Sequence, residues 1–365
     1  MHNFFYQAEF RVTTQKLLGT MAARATCSAS SNSDDTSALA RHLLDLSHDE
    51  LGVIVDGLAN PLQPVIAVSL SSTCKGLRTP LRATLEVLRL RHERAVALCR
   101  KMNKRCSGLR ETEKLIVRGS CILTAEDMAT LGVLLTKWLP GLLKLRLENT
   151  SSPGVDTPHL QALSEGLGRG AAPSLRKLDL GNYQFGPAGS EALAAAFRRG
   201  ALPKLETLLL NDNPLKDQGV SALAAPLRKL PALKKLVLYN CAVGDEGVAS
   251  LVDGLAKDDF KALKKLELGC NRISNAGVAK LVAALDAGAL PSLTYDPSII
   301  YENPPGISAI GAISRAMKRR PRSDEFEAEL AGMLRLVEGG FGEELEKEEQ
   351  RRAKQVADGL QPTLW

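Results

Sequence analysis

The 365-residue chain is 44% hydrophobic and 24% charged, with 47 Lys and Arg against 41 Asp and Glu and a formal net charge of +6. That balance excludes collagen-like and wholly disordered classes, and no apolar run reaches the ~18 residues that would cross a bilayer, so a soluble globular protein larger than one ordinary domain is expected. Aromatic residues make up only 4% while Leu and Ala dominate, so the core must be aliphatic. The seven cysteines (27, 74, 99, 106, 121, 241 and 270) are odd in number, scattered and without a CxxC pair. They fit reduced thiols in the cytoplasm or nucleus and signal neither a zinc nor a redox site.

Residues 1–40 are rich in hydroxyl side chains, with Glu9 the first acid, and read as a disordered leader or as an organelle transit segment. Met21 offers an alternative start. Residues 41–105 then form a helical head with short apolar patterns, Leu46, Leu51, Ile54 and Leu58 followed by Val65, Val68 and Leu70, broken by "ANPLQP". The stretches "LSHDELGVIVDGL" and "VSLSSTCKGLR" resemble the F-box, with Leu46, Asp49, Glu50, Leu51, Ile54 and Leu58 in the first and Val68, Leu70, Cys74, Lys75 and Leu77 in the second. Ser47 or His48 stands where that family has proline, and Leu77 where it has tryptophan. The resemblance implies a surface of Leu46, Leu51, Ile54, Leu58, Val68, Leu70 and Cys74 for the adaptor of a cullin-based ubiquitin ligase. A plain helical cap over the first repeat is the alternative reading of the same segment.

Between Arg78 and Arg118 twelve Lys or Arg face four Glu. Leu81, Leu85, Leu88 and Val96 interleave at helical spacing, which predicts a packed helix with a solvated basic face. Aromatics for base stacking are missing there, so nucleic acid is not expected as a partner.

A repeat follows over 106–317. "LRKLDLGNY" starts at Leu175, "LETLLLNDN" at Leu205, "LKKLVLYNC" at Leu233 and "LKKLELGCN" at Leu263. Earlier copies are "LLKLRLENT" from Leu142 and "TEKLIVRGS" from Thr112, and after Leu293 only Ile300 and Asn303 keep their places. From Thr112 to Met317 the chain resembles the leucine-rich-repeat family, LxxLxLxxN, in its long ribonuclease-inhibitor-like form. The implied fold is α/β: a repeat solenoid with a curved parallel sheet inside, helices outside, and helical caps at both ends. Asn213 and Asn271 take the family's asparagine position and Cys241 its usual substitute, while Thr150 and Tyr183 depart from it.

Alternation along each strand turns Leu208 and Leu210 to one side and Thr207, Leu209 and Asn211 to the other. Asp217, Asp245 and Asn275 each precede a glycine (Gly219, Gly247, Gly277) by two residues, where their oxygens are placed to cap the first turn of their own helix. Recurrence in every repeat favours packing over a phosphate cradle.

The open strand positions give three rows. The first is Lys114, Lys144, Lys177, Thr207, Lys235 and Lys265; the second Ile116, Arg146, Asp179, Leu209, Val237 and Glu267; the third Arg118, Glu148, Gly181, Asn211, Tyr239 and Gly269. A lysine ladder thus stands beside an apolar patch of Leu209, Val237 and Tyr239. It either keeps an open sheet soluble or, with Tyr239 as an anchor, grips an acidic segment of another protein. Six strands would span about 25 to 30 Å, enough for an interface of about 800 Å² per partner.

Residues 318–365 read as a C-terminal cap through Phe326, Leu330, Leu334 and Val337, then a charge-paired helical tail. His2, His42, His48, His92 and His159 show no metal spacing, and GxSxG and phosphate-loop patterns are missing, so neither an enzyme nor a cofactor is expected. Three functions follow from the resemblances: a ubiquitin-ligase substrate receptor, a scaffold with no ubiquitin link, and a regulator of a small GTPase.

Overall fold

The computed structural model describes residues 60–62, 64, 75–117, 123–147, 157–256, 258–294, 296 and 299–320. Nine helices and six strands alternate among them: α1 Lys75–Lys101, α2 Cys106–Arg110, β1 Lys114–Val117, α3 Ala125–Lys137, β2 Lys144–Leu147, α4 Thr157–Gly166, β3 Lys177–Asp179, α5 Pro187–Arg198, β4 Thr207–Leu209, α6 Lys216–Arg228, β5 Lys235–Val237, α7 Asp245–Val252, β6 Lys265–Glu267, α8 Asn275–Asp286 and α9 Ile307–Lys318. The strands follow one another in sheet order β1-β2-β3-β4-β5-β6. The expected alternation of a parallel strand and a helix in each repeat is therefore met.

The residues fall into two compact units. One lies within Met1–Leu145, Thr150–Leu175 and Arg199–Leu202, the other within Arg146–Asn149, Arg176–Arg198 and Pro203–Trp365.

In the first unit the basic helix α1 packs on α3, as its interleaved leucines predicted. Leu88, Ala95, Leu98 and Cys99 are buried, while Arg94 pairs with Glu126 at 2.9 Å and Lys101 with Asp127. Thr124 caps α3: its hydroxyl accepts from the Asp127 N–H, and the Asp127 carboxylate accepts from the Thr124 N–H at 2.7 Å. Such a reciprocal box satisfies two of the four N–H groups that a helix start leaves without partners. Within the break at "ANPLQP", Asn60 Oδ1 accepts from the Leu62 N–H. Arg199 donates to the carbonyls of Ser164 and Leu167 at the end of α4.

The second unit shows why a strand and a helix fit in about thirty residues. Strands β3 to β6 run parallel with Lys177, Thr207, Lys235 and Lys265 in one register line and Leu178, Leu208, Leu236 and Leu266 in the next. Leu178, Leu208, Leu236 and Leu266 and the leucines just before and after these strands are at most 3% exposed, as are Leu193, Val220, Leu223, Val248, Leu251, Val278 and Leu281 on the helices. One repeat alone has no second layer against which to bury these groups. Stacking supplies it.

Adjacent repeats are also joined by buried amides. Asn271 Nδ2 donates to the carbonyls of Leu238, Leu268 and Gly269 at 2.7, 2.9 and 3.0 Å, and its Oδ1 accepts from the N–H groups of Cys241 and Val243 at 2.8 and 3.0 Å. Asn213 repeats the pattern against Leu180, Leu210, Asn211 and Phe185. So does Asn303, against Leu268, Ile300, Tyr301 and Ile273. At Cys241 a thiol donates to the Leu210 carbonyl at 3.1 Å, and burial pushes it up to about 12, so it stays protonated.

The helix-start oxygens reach further than the sequence suggested. Asp217 Oδ1 accepts from Gly244 and Gly247 N–H at 2.6 and 2.9 Å, Asp245 Oδ1 from Ser274 and Gly277 at 2.8 and 3.0 Å, and Asn275 Oδ1 from Gly306 at 2.6 Å. Each carboxylate or amide thus caps the helix of the following repeat, not its own. A Cβ on Gly247 would stand 2.6 Å from Asp217 Oδ1, so the glycine is what admits the neighbour's oxygen. The recurring "DxG" spacing is a packing device, as its repetition indicated.

Candidate functional site: the strand face

Lys177, Thr207, Lys235 and Lys265 of the first row stand in register, but the cations of the row are not alone. Asp179 Oδ2 lies 3.8 Å from Arg146 Nε and 3.9 Å from Lys177 Nζ, and Glu267 Oε1 lies 2.8 Å from Lys235 Nζ and 3.3 Å from Lys265 Nζ. One residue ahead of the strands, Glu206 takes Arg176 at 3.1 Å and Lys234 at 2.9 Å. The Lys234 hydrogen bond, opposed by partial burial and aided by the Arg176 charge, holds the Glu206 carboxyl below the usual carboxylate range. Two cations share each carboxylate. The cations of the row are therefore paired within the face, unlike those of a bare lysine ladder.

The second row needs one correction. Val237, expected on an apolar patch, is only 5% exposed between Leu209 and Glu267, its register partners on either side. Short flanking strands let longer side chains close over a β-branched one. Leu209 is half-buried, Asp179 is 9% exposed, and Tyr239 at 36% is left as the accessible apolar group of the three.

In the third row, Asn211 bonds Asp212 at 2.7 Å, and Asp212 also accepts from Asn240 at 2.9 Å. The Tyr239 ring lies against Gly269, where an added Cβ would stand 3.1 Å from it. The Tyr239 hydroxyl is 2.7 Å from Cys270 Sγ, itself 2.6 Å from Glu302 Oε2. The bond to Cys270, with partial burial, pushes the Tyr239 hydroxyl up to about 12, so this group is a neutral donor under ordinary conditions. Tyr301, 60% exposed, follows on the next repeat.

Lys144 and Arg146 are exposed on β2, and Lys144 belongs to the first unit. Leu46, Leu51, Ile54, Leu58, Val68, Leu70 and Cys74, the adaptor surface implied by the F-box resemblance, lie outside the described residues. The sequence reading passed over Arg176, Glu206 and Lys234, although they recur beside the lysine row in "LRKL", "LETL" and "LKKL". It also passed over Tyr301 and Glu302, which stand at fixed offsets before Asn303.

The family model described as Leucine Rich repeat matches residues 201–224 and 262–282. Those two segments are similar to leucine-rich repeats. Both matches cover a strand, its turn and most of the helix that follows, Thr207–Leu209 with Lys216–Arg228 and Lys265–Glu267 with Asn275–Asp286. No curated protein gives a significant match. Among the described residues no group of three or more His, Cys, Asp and Glu is arranged to hold a metal, and no helix is long and apolar enough to cross a membrane.

Proposed function

We propose that the leucine-rich repeats form a protein-binding module whose strand face, from Arg146 to Tyr301, takes an acidic segment of another protein. The observation that carries this reading is the run of cations Arg146, Arg176, Lys177, Lys234, Lys235 and Lys265 on one strand face beside Tyr239. Each cation is already positioned and partly desolvated by its pairing within the face, so an incoming carboxylate replaces water at a formed site. Tyr239 and Leu209 supply the apolar contact beside it.

The test is an affinity pull-down read by mass spectrometry with the full chain and with a variant carrying Arg146, Lys177, Lys235 and Lys265 all changed to Glu. Partners lost from the variant, and lost from the unmodified chain at high salt, support the reading; partners retained in both cases sink it. A finer reading rests on the F-box-like sequence at 46–77: the module is the substrate receptor of a cullin-based ligase. Adaptor and cullin peptides in the same pull-down support that reading, whereas a GTPase or other proteins alone point to a regulator or a scaffold. Binding of the ligase adaptor by residues 41–105 tests it directly.

A further inference from the structure

The seam between α1 and the first repeat holds two thiols that the repeat face does not use. Cys99 lies two residues before the end of α1 and is 2% exposed; Cys106 opens α2 and is half-buried. The intervening residues turn back on themselves: Met102 N–H donates to Leu98, Lys104 N–H to Cys99 at 2.8 Å, and Asn103 takes a left-handed φ of 51°. The reversal leaves the two sulfurs 3.4 Å apart.

We infer that Cys99 and Cys106 are an oxidative modification site, a pair that closes to a disulfide when a peroxide reaches the half-buried sulfur. The separation is already near van der Waals contact, and the turn between them is a short loop able to absorb the closing movement. In the reaction the Cys106 thiolate attacks one oxygen of hydrogen peroxide, giving a sulfenic acid and, after protonation, water. The Cys99 sulfur then attacks the sulfenic sulfur, the S–S bond forms, and a second water leaves with the Cys99 proton. Two thiols lose two electrons and the peroxide gains them. Order of attack follows access: burial, with the Cys106 contact, pushes the Cys99 thiol up to about 12, so it is the resolving partner.

The bond would staple the last turn of α1 to the segment entering β1. Lys101 on Asp127 and Arg94 on Glu126 already tie α1 to α3, so the helix stays in place and the turn between the cysteines takes up the closing movement.

Trypsin gives a direct readout, because Arg100, Lys101, Lys104 and Arg105 all lie between the two cysteines and cleavage separates them. The full chain is treated with a small excess of hydrogen peroxide, denatured in an alkylating agent and digested. The expected result is a loss of two of the seven thiols and a peptide pair joined through Cys99 and Cys106, reversed by dithiothreitol. In a Cys99→Ser variant, Cys106 should instead be trapped as a sulfenic acid by dimedone. Linkage of Cys106 to another cysteine, or both thiols unreacted while others are consumed, would overturn the inference. So would a Cys99→Ser chain whose Cys106 forms no dimedone adduct.

Discussion

The same repeats are cross-linked twice, once inside and once on the strand face, and the two sets of bonds behave differently. Inside, Asn271 joins five backbone groups of two repeats at 2.7–3.0 Å and is 8% exposed. On the face, Glu267 joins Lys235 and Lys265, whose side chains remain 37% exposed. A buried amide has no water to fall back on, so losing it strands its partners. An exposed ion pair exchanges readily with solvent and contributes little. The interior bonds therefore carry the fold, which leaves the face free to vary its charges for a partner.

Four measurements break or sharpen this contrast. The largest effect is expected for Asn271→Ala, which leaves the Leu238 carbonyl and the N–H groups of Cys241 and Val243 in want of partners; urea unfolding should show a loss of about 3 kcal/mol. A loss below about 1 kcal/mol would mean that water replaces the amide. Cys241→Ala should cost markedly less by the same assay, since the thiol makes only weak bonds.

Next comes Gly247→Ala, where the new Cβ must push Asp217 off two N–H groups; about 1–2 kcal/mol of destabilisation is expected from thermal unfolding. An unchanged midpoint would show that Asp217 can withdraw without cost.

Third is the pH dependence of Asp245. Burial pulls its carboxyl upward, but the Ser274 hydroxyl, the Ser274 N–H and the Gly277 N–H outweigh that and hold it below the ordinary range. A lowered folded pKa means the stabilisation is complete above the unfolded value of about 4 and is lost as pH falls through the folded one. Asp245→Asn should flatten the stability profile below about pH 4, and an identical profile would contradict the assignment.

The smallest structural effect belongs to Glu267→Gln, within about 0.5 kcal/mol in unfolding. Yet it removes the carboxylate that Lys235 and Lys265 share, so binding of an acidic partner should tighten; weaker binding would place Glu267 itself in contact with the ligand.

Period made much of this legible from residues alone. Leu175, Leu205, Leu233 and Leu263 recur at nearly fixed intervals because each repeat must stack on the last, and Asn213, Asn271 and even Asn303 occupy the places that spacing assigns. What escaped was pairing across repeats. Asp217 is adjacent in sequence to its own helix, so its true partners Gly244 and Gly247 were not the obvious ones. Counter-ions are diagonal neighbours: nothing in the "KLE" of β6 says that Glu267 also serves Lys235. Val237 looks exposed by alternation, and only its two neighbours in register show it covered. Cys99 and Cys106 fit no motif, since a chain reversal, not a spacing rule, brings them together.

The bonds of Asn271 offer one more consequence. Those to Leu238, Cys241 and Val243 reach back a single repeat, to groups that the repeat before also presents: Leu210 follows its strand where Leu238 follows the next, and Asn213 stands where Cys241 does. Excising residues 233–262 would therefore hand Asn271 the carbonyl of Leu210 and the N–H of Asn213, and the shortened chain would heal across the cut. Length in such a molecule is a quantity that can drift by whole turns, with the fold indifferent to the number.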